Sequence, residues 1–302
     1  MAMSDPIIIS VGGGKGGVGK STISVNLGAS LARNGFSVGY IDADLGGANL
    51  HTCLGMRRPP ATLQHFLTGE CKSLTEVAVK TPIPNSWLIS GAGDFLELAN
   101  PNFGQKQKIL SGIKNLNANY IIVDLGAGSS NTVSDFFAAF PNSITITDCM
   151  PTSVENAYGF LKSGIYRGLI RLFPGQNEIQ KFIKDFTADK SGQRAPTIDS
   201  MLVQMKAKYP VEAKQMREWL DNRKSFLILN MVRGPDEIRV GEGVTAIVQK
   251  YLSVQLRYIG YLVYTPEIRE SLRTLGPVVL QNNPKATECF MAIARNLTAL
   301  LR

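Results

Sequence analysis

The chain has 302 residues, of which 44% are hydrophobic and 19% charged, with 29 glycines and 15 prolines; this balance excludes disordered and fibrous classes and describes a globular protein with a sizeable core. Its formal charge of +8 is uneven, because residues 162–224 hold 13 basic against 7 acidic side chains while the rest of the chain is nearly balanced. The longest apolar runs, such as 120–123 and 226–229, fall far short of the ~18 residues a bilayer span needs, and Cys53, Cys71, Cys149 and Cys289 form no C-x-x-C pair, which argues against a local zinc or iron–sulfur motif.

In chain order, the β-branched run Ile7–Val11 reads as a buried parallel strand that ends in glycines. A helix is expected over Lys20–Arg33, stopped by Asn34-Gly35, followed by a strand over Ser37–Ile41. Further strands are expected at Trp87–Ser90, Tyr120–Asp124, Ser143–Thr147, Phe226–Met231 and Arg257–Val263, most of them separated by helix-length stretches. Such alternation predicts the α/β class: a mainly parallel, twisted sheet with helices on both faces, and ligands beyond the carboxyl ends of its strands. Residues 163–224 break the rhythm. They show helical spacing at Ile179, Phe182, Ile183 and Phe186 and again at Met201, Leu202 and Met205, so a helical insertion is expected within one domain covering 1–302. Its midpoint, Lys190–Pro196, carries loop chemistry and is expected to be the most flexible part of the chain. The segment Ala286–Arg302 is amphipathic and is expected to close the core rather than enter lipid.

Gly14-Lys15-Gly16-Gly17-Val18-Gly19-Lys20-Ser21 fits G-x-x-x-x-G-K-[ST] between the first strand and the first helix. Glycines there let the backbone curl so that N–H groups face phosphate oxygens, and the helix adds its positive end. Lys20 would reach the β- and γ-phosphates, and Ser21 would place a hydroxyl on Mg2+. The same residues contain the dinucleotide fingerprint G-x-G-x-x-G, with Asp42 placed where a ribose-binding acid could lie. A pyrophosphate held by backbone amides gives no reason for lysines at 15 and 20 or a hydroxyl at 21, so a nucleoside triphosphate is the better reading.

Asp42-Ala43-Asp44 ends the second strand on the loop side, where carboxylates position water or hold hydrated magnesium; alone, it would read equally well as a strand end capped by turn-forming Asp. Asp124 ends an apolar run before Leu125-Gly126-Ala127-Gly128, the form of a Walker B acid followed by a switch segment. Asp42, Asp124 and Ser21 are therefore the expected metal-side groups, and the Gly126 N–H is an expected γ-phosphate donor whose release would follow loss of that phosphate.

The stretch from Lys15 to Thr22 resembles the deviant Walker A motif of the MinD/ParA ATPases, marked by the additional lysine at 15. The resemblance implies ATP and Mg2+ as cofactors and a homodimer that sandwiches two ATP molecules, with Lys15 reaching the partner's phosphates. It further implies Asp44 as the catalytic, water-positioning acid, Thr22 near the α-phosphate and Asn230 at the adenine. Residues 42–50, 124–128 and 151–153 are similar to the branch of this family that regulates flagellar number and placement, and 264–269 looks like its segment that closes over the base. The activity this resemblance implies is that of a slow, partner-stimulated ATPase acting as a positional switch in the cytoplasm, at the inner membrane or a cell pole. A ParA-like protein holding DNA through the basic residues Arg167, Arg171, Lys206, Lys208, Lys214 and Lys224 is one alternative. A metabolic enzyme on the same loop is another.

Overall fold

The computed structural model describes residues 5–91, 101–188, 197–281 and 283–301, with the side chains of Ala188, Arg269 and Leu272 left aside; the expected flexible turn at Lys190–Pro196 lies outside these residues. In chain order the elements are β1 (Ile7–Gly12), α1 (Lys20–Arg33), β2 (Val38–Ala43), α2 (Leu50–Cys53), α3 (Leu63–Thr68), β3 (Val79–Lys80), β4 (Ser86–Ile89), α4 (Phe103–Lys114), β5 (Tyr120–Leu125), α5 (Asn131–Ala139), β6 (Asn142–Asp148) and α6 (Pro151–Arg171). They continue with α7 (Asn177–Ala188), α8 (Ile198–Lys208), α9 (Pro210–Asp221), β7 (Lys224–Val232), α10 (Pro235–Ile238), α11 (Val240–Leu252), β8 (Leu256–Val263), α12 (Pro266–Arg273) and α13 (Pro284–Leu301).

The strands form one eight-stranded sheet in the order β3-β4-β2-β5-β1-β6-β7-β8, parallel except for β3 against β4. Helices cover both faces. Along β5, Ile121 and Val123 enter one core with α4, α5 and α6, while Ile122 enters the other with α1 and α13, the period-two alternation of a strand buried on both sides. Every strand read from the sequence is present within a residue or two of its expected ends; β3, a two-residue edge, was not foreseen. The expected core role of the last helix also holds: Phe290, Ile293 and Leu297 of α13 are at most 1% exposed, each side chain contributing about 1.5–3 kcal/mol of burial. Among the described residues, no helix is long and apolar enough to cross a membrane.

Part of the basic surplus is committed inside the fold. Asp135 on α5, 1% exposed, receives Lys106 of α4 at 2.5 Å and Arg167 and Arg171 of α6 at 2.6 and 3.0 Å, so one carboxylate ties three helices together. Burial alone would raise its pKa, but the bonds and charges of Arg167, Lys106 and Arg171 outweigh burial and hold it below the ordinary carboxylate range. Asp135→Ala is expected to cost about 3–5 kcal/mol in urea unfolding, because three cations lose their counter-charge. In the wild type that contribution is fully present above the unfolded carboxyl pKa of ~3.9 and is lost as pH falls through the lowered folded value.

At the amino ends of the strands, cations meet the carbonyl ends of helices. Arg223 donates to the Phe137 carbonyl of α5 at 3.2 Å, Arg217 to the Ser253 carbonyl after α11 at 3.0 Å, and Lys224 to the Leu301 carbonyl of α13 at 3.1 Å. The negative ends of these helices explain the basic residues gathered there.

Candidate functional site

The strand order builds the site. Because β2, β5 and β1 are neighbours, the register sets Asp42 beside Asp124 and Asp124 beside Val11, immediately before the glycine-rich loop. The loop is conformationally demanding: Gly17 and Gly19 have φ of 77° and 90°, in the left-handed region that favours glycine. Gly14 lies against the backbone of Asn156 on α6, and a Cβ at Gly19 would run into the Asn230 amide. Helix α1 starts at Lys20 without a side-chain cap on its first N–H groups, which leaves a donor-rich, positive helix end at the loop.

Lys20 is buried, and its Nζ donates to the Lys15 carbonyl at 3.3 Å. Burial lowers its pKa, while the charges of Asp124 and Asp44 act the other way. Asp124, 1% exposed, accepts the Ser21 hydroxyl on Oδ2 and the Ser24 hydroxyl on Oδ1, both at 2.7 Å. Burial pushes its pKa up to about 6 against these two bonds and Lys20. Asp42, also 1% exposed, accepts the Leu50 N–H at 2.9 Å and the Asp44 N–H at 3.2 Å, and so braces the turn that carries Asp44. Burial, reinforced by the charge of Asp124, raises its pKa to about 8. Asp44 is half-buried with its carboxylate against Gly126, where a Cβ would stand 3.0 Å from Oδ1. The Gly128 N–H donates to the Gly13 carbonyl at 3.3 Å, which ties the 126–130 segment to the phosphate loop.

Above these groups lies a cleft of about 580 Å3. One end is lined by Gly16, Gly17, Gly19, Lys20, Ser21, Thr22, Asp44 and Ala127, and the other by Asn230, Met231, Val263, Tyr264, Thr265 and Ile268. Asn230 donates to the Val18 carbonyl at 2.8 Å, and its Oδ1 accepts the Met231 N–H at 2.9 Å, which fastens the far wall to the loop. Lys15 is exposed at the rim, Val18 is buried under the loop, and Asp42 and Asp124 lie outside the cleft lining.

Two features test whether the cleft suits a magnesium nucleotide. Burial raises the pKa of both Asp42 and Asp124, the charge of Asp124 adds to the rise at Asp42, and that of Asp44 adds to the rise at both, which makes the corner a place for a cation. At the far end the Thr265 hydroxyl is buried with no hydrogen-bond partner among the described residues, an unmet polar group in the cleft wall. No set of three or more His, Cys, Asp or Glu side chains among the described residues forms an all-protein cage. Magnesium held through one carboxylate, a hydroxyl and phosphates needs none. The residues fit the group.

Sequence reading missed Ser24 and Cys53. Ser24 was visible in principle, since it stands three residues after Ser21 and so on the same side of α1. Cys53 lines the cleft, but burial raises its thiol to about 11, which leaves it a weak nucleophile at neutral pH.

A parallel sheet, a glycine-rich loop running into a helix and acids at the neighbouring strand ends define a P-loop nucleotide-binding protein. A family model described as the CobQ/CobB/MinD/ParA nucleotide binding domain matches residues 9–278, and the chain belongs to that family. It is similar to the antiactivator FleN of Pseudomonas aeruginosa, with 26% identity over 297 residues, 96% of this chain and 85% of that protein. A flagellum site-determining protein, YlxH of Helicobacter pylori, is 36% identical over 161 residues, about half of each chain. The fold is shared with the septum site-determining protein MinD complexed with Mg-ADP from Pyrococcus horikoshii, at a TM-score of 0.65 and 19% identity over 97% of this chain and 96% of that one.

Proposed function

We propose that the chain is a Mg-ATP-dependent, dimerising ATPase used as a switch that positions or counts a cellular structure, as in the FlhG branch suggested by its FleN and YlxH relatives. The observation that carries this reading is the corner at the end of β1, β2 and β5. There Ser21 is bonded to Asp124, Lys20 is buried beside Asp124 and Asp44, and a second lysine, Lys15, stays exposed at the rim.

Backbone N–H groups of 14–19, with Lys20 and Thr22, hold the triphosphate. Ser21 and Asp124 would hold Mg2+, which would supply positive charge against the phosphates. Asp42 acts one layer out, fixing the turn of Asp44 through the Asp44 and Leu50 N–H groups, and would support the metal from there. Asp44 orients the attacking water, the Gly126 N–H serves the γ-phosphate and Asn230 serves the adenine. Lys15 stabilises the transferring phosphate across the dimer, which makes hydrolysis slow until a second subunit, and then a protein partner, is in place. Residues 1–302 make one P-loop domain with the helices of 163–224 inserted in it, acting in the cytoplasm with peripheral contact to the inner membrane or pole.

A protein partner is favoured over DNA because three of the six cations that suggested DNA have other commitments: Arg167 and Arg171 pair with Asp135 and Lys224 with the Leu301 carbonyl, whereas Lys206, Lys208 and Lys214 are exposed. Light scattering with Mg-ADP and with a non-hydrolysable Mg-ATP analogue tests the switch. A doubling of mass with the analogue alone is expected. Turnover of ATP with no change in mass would instead favour a metabolic enzyme.

A further inference from the structure

Ser24 lies outside the phosphate-loop motif, is 0% exposed and does not line the cleft, yet its hydroxyl is committed to the chemistry of the site. Buried serines in helices commonly bond the carbonyl four residues back, and Ser30, two turns further along α1, does so to Asn26 at 2.8 Å. Ser24 instead reaches across to β5 and donates to Oδ1 of Asp124 at 2.7 Å, while Ser21, one turn earlier, donates to Oδ2 at the same distance. The two donors grip opposite oxygens of one carboxylate. A single bond leaves the carboxylate's last torsion broad, whereas two bonds on opposite oxygens fix its plane.

The donors differ in what else is asked of them. Ser21 faces the cleft, and in the Mg-ATP reading, on which this inference rests, its oxygen belongs to the metal. Ser24 has no access to the cleft, so its bond is independent of ligand. We infer that Ser24 is a positioning residue for magnesium: it anchors Asp124 through Oδ1 and so keeps Oδ2 turned toward Ser21 and the metal side of the site, whether or not nucleotide is bound.

The test is fluorescent-ADP affinity measured with Mg2+ and again with EDTA, on the wild type, Ser24→Ala, Asp124→Asn and the double variant. Alanine suits a helix interior, and unchanged affinity in EDTA reports that the loop is intact. The expected result is an EDTA affinity equal to wild type in Ser24→Ala, with the magnesium-dependent gain reduced about tenfold or more, the usual size of an outer-layer effect on a metal site. In the Asp124→Asn background, Ser24→Ala is expected to change nothing further. A full magnesium gain in Ser24→Ala, even with a lowered melting temperature, would assign Ser24 to helix–strand packing alone and overturn the inference. A wild type with no magnesium gain would overturn the Mg-ATP reading itself, and the inference with it.

Discussion

Asp44→Ala is expected to lose at least about 100-fold in ATP turnover, within the usual range for a positioned acid or base, while its ATP affinity stays within about threefold of wild type. The separation follows from how the turn is built. Asp42 holds the turn through the backbone N–H of residue 44, which alanine retains, and through the Leu50 N–H, so the substitution removes a carboxylate without releasing the loop. The missing group is the one that stands against Gly126, at the junction of the phosphate loop and the 126–130 segment. Single-turnover hydrolysis and equilibrium titration on the same preparation check it. A parallel loss of turnover and affinity would mean that Asp44 supports binding and does not position water.

Lys20→Ala is expected to weaken Mg-ATP binding by about 100-fold or more, close to 3 kcal/mol at 1.4 kcal/mol per tenfold. Lys20 is buried, its charge is disfavoured by desolvation, and Asp124 and Asp44 are what sustain it. Among the described residues Lys20 is the one cation that lines the cleft, so removing it leaves Asp44, and Asp124 behind it, facing a polyanion with no counter-charge in the lining. Isothermal titration gives the comparison. Wild-type affinity in this variant would remove the loop from phosphate binding and leave the cleft without its central role.

The strands were legible because a strand buried on both faces needs a short continuous apolar run, and Tyr120–Val123 and Phe226–Leu229 supply it. Strand β3 has two residues and no such run, so nothing marked it in the sequence. The phosphate loop was legible because a curled backbone at φ of 77° and 90° calls for glycine. The order in which strands assemble was not, and the side-by-side placement of Asp42 and Asp124 depends on β2 and β5 being neighbours although β3 and β4 intervene in the chain. The Asp135 cluster was hidden for a related reason. An acid in an amphipathic helix looks solvated until the partner helices are known, and here they are α4 and α6. The basic surplus of 162–224 read as one surface property, whereas packing commits Arg167, Arg171, Arg217, Arg223 and Lys224 to an acid on α5 and the carbonyl ends of three helices and leaves Lys181, Lys184, Lys206, Lys208 and Lys214 exposed.

Helix α13 carries a consequence for how the protein comes into being. It lies over β8 and α1, so the inner face of the helix that carries Lys20 and Ser21 is covered by residues 284–301, made long after it. During synthesis from the amino end, the nucleotide loop emerges early but lacks its backing until that late helix arrives, and Lys224 has no Leu301 carbonyl to grip. A nascent or prematurely terminated chain without this helix therefore exposes apolar side chains of α1 and of the β8 face, such as Leu27 and Ile259, a surface suited to chaperones and proteases. The inner face of the helix behind the glycine-rich loop is thus completed only once residues 284–301 have been made.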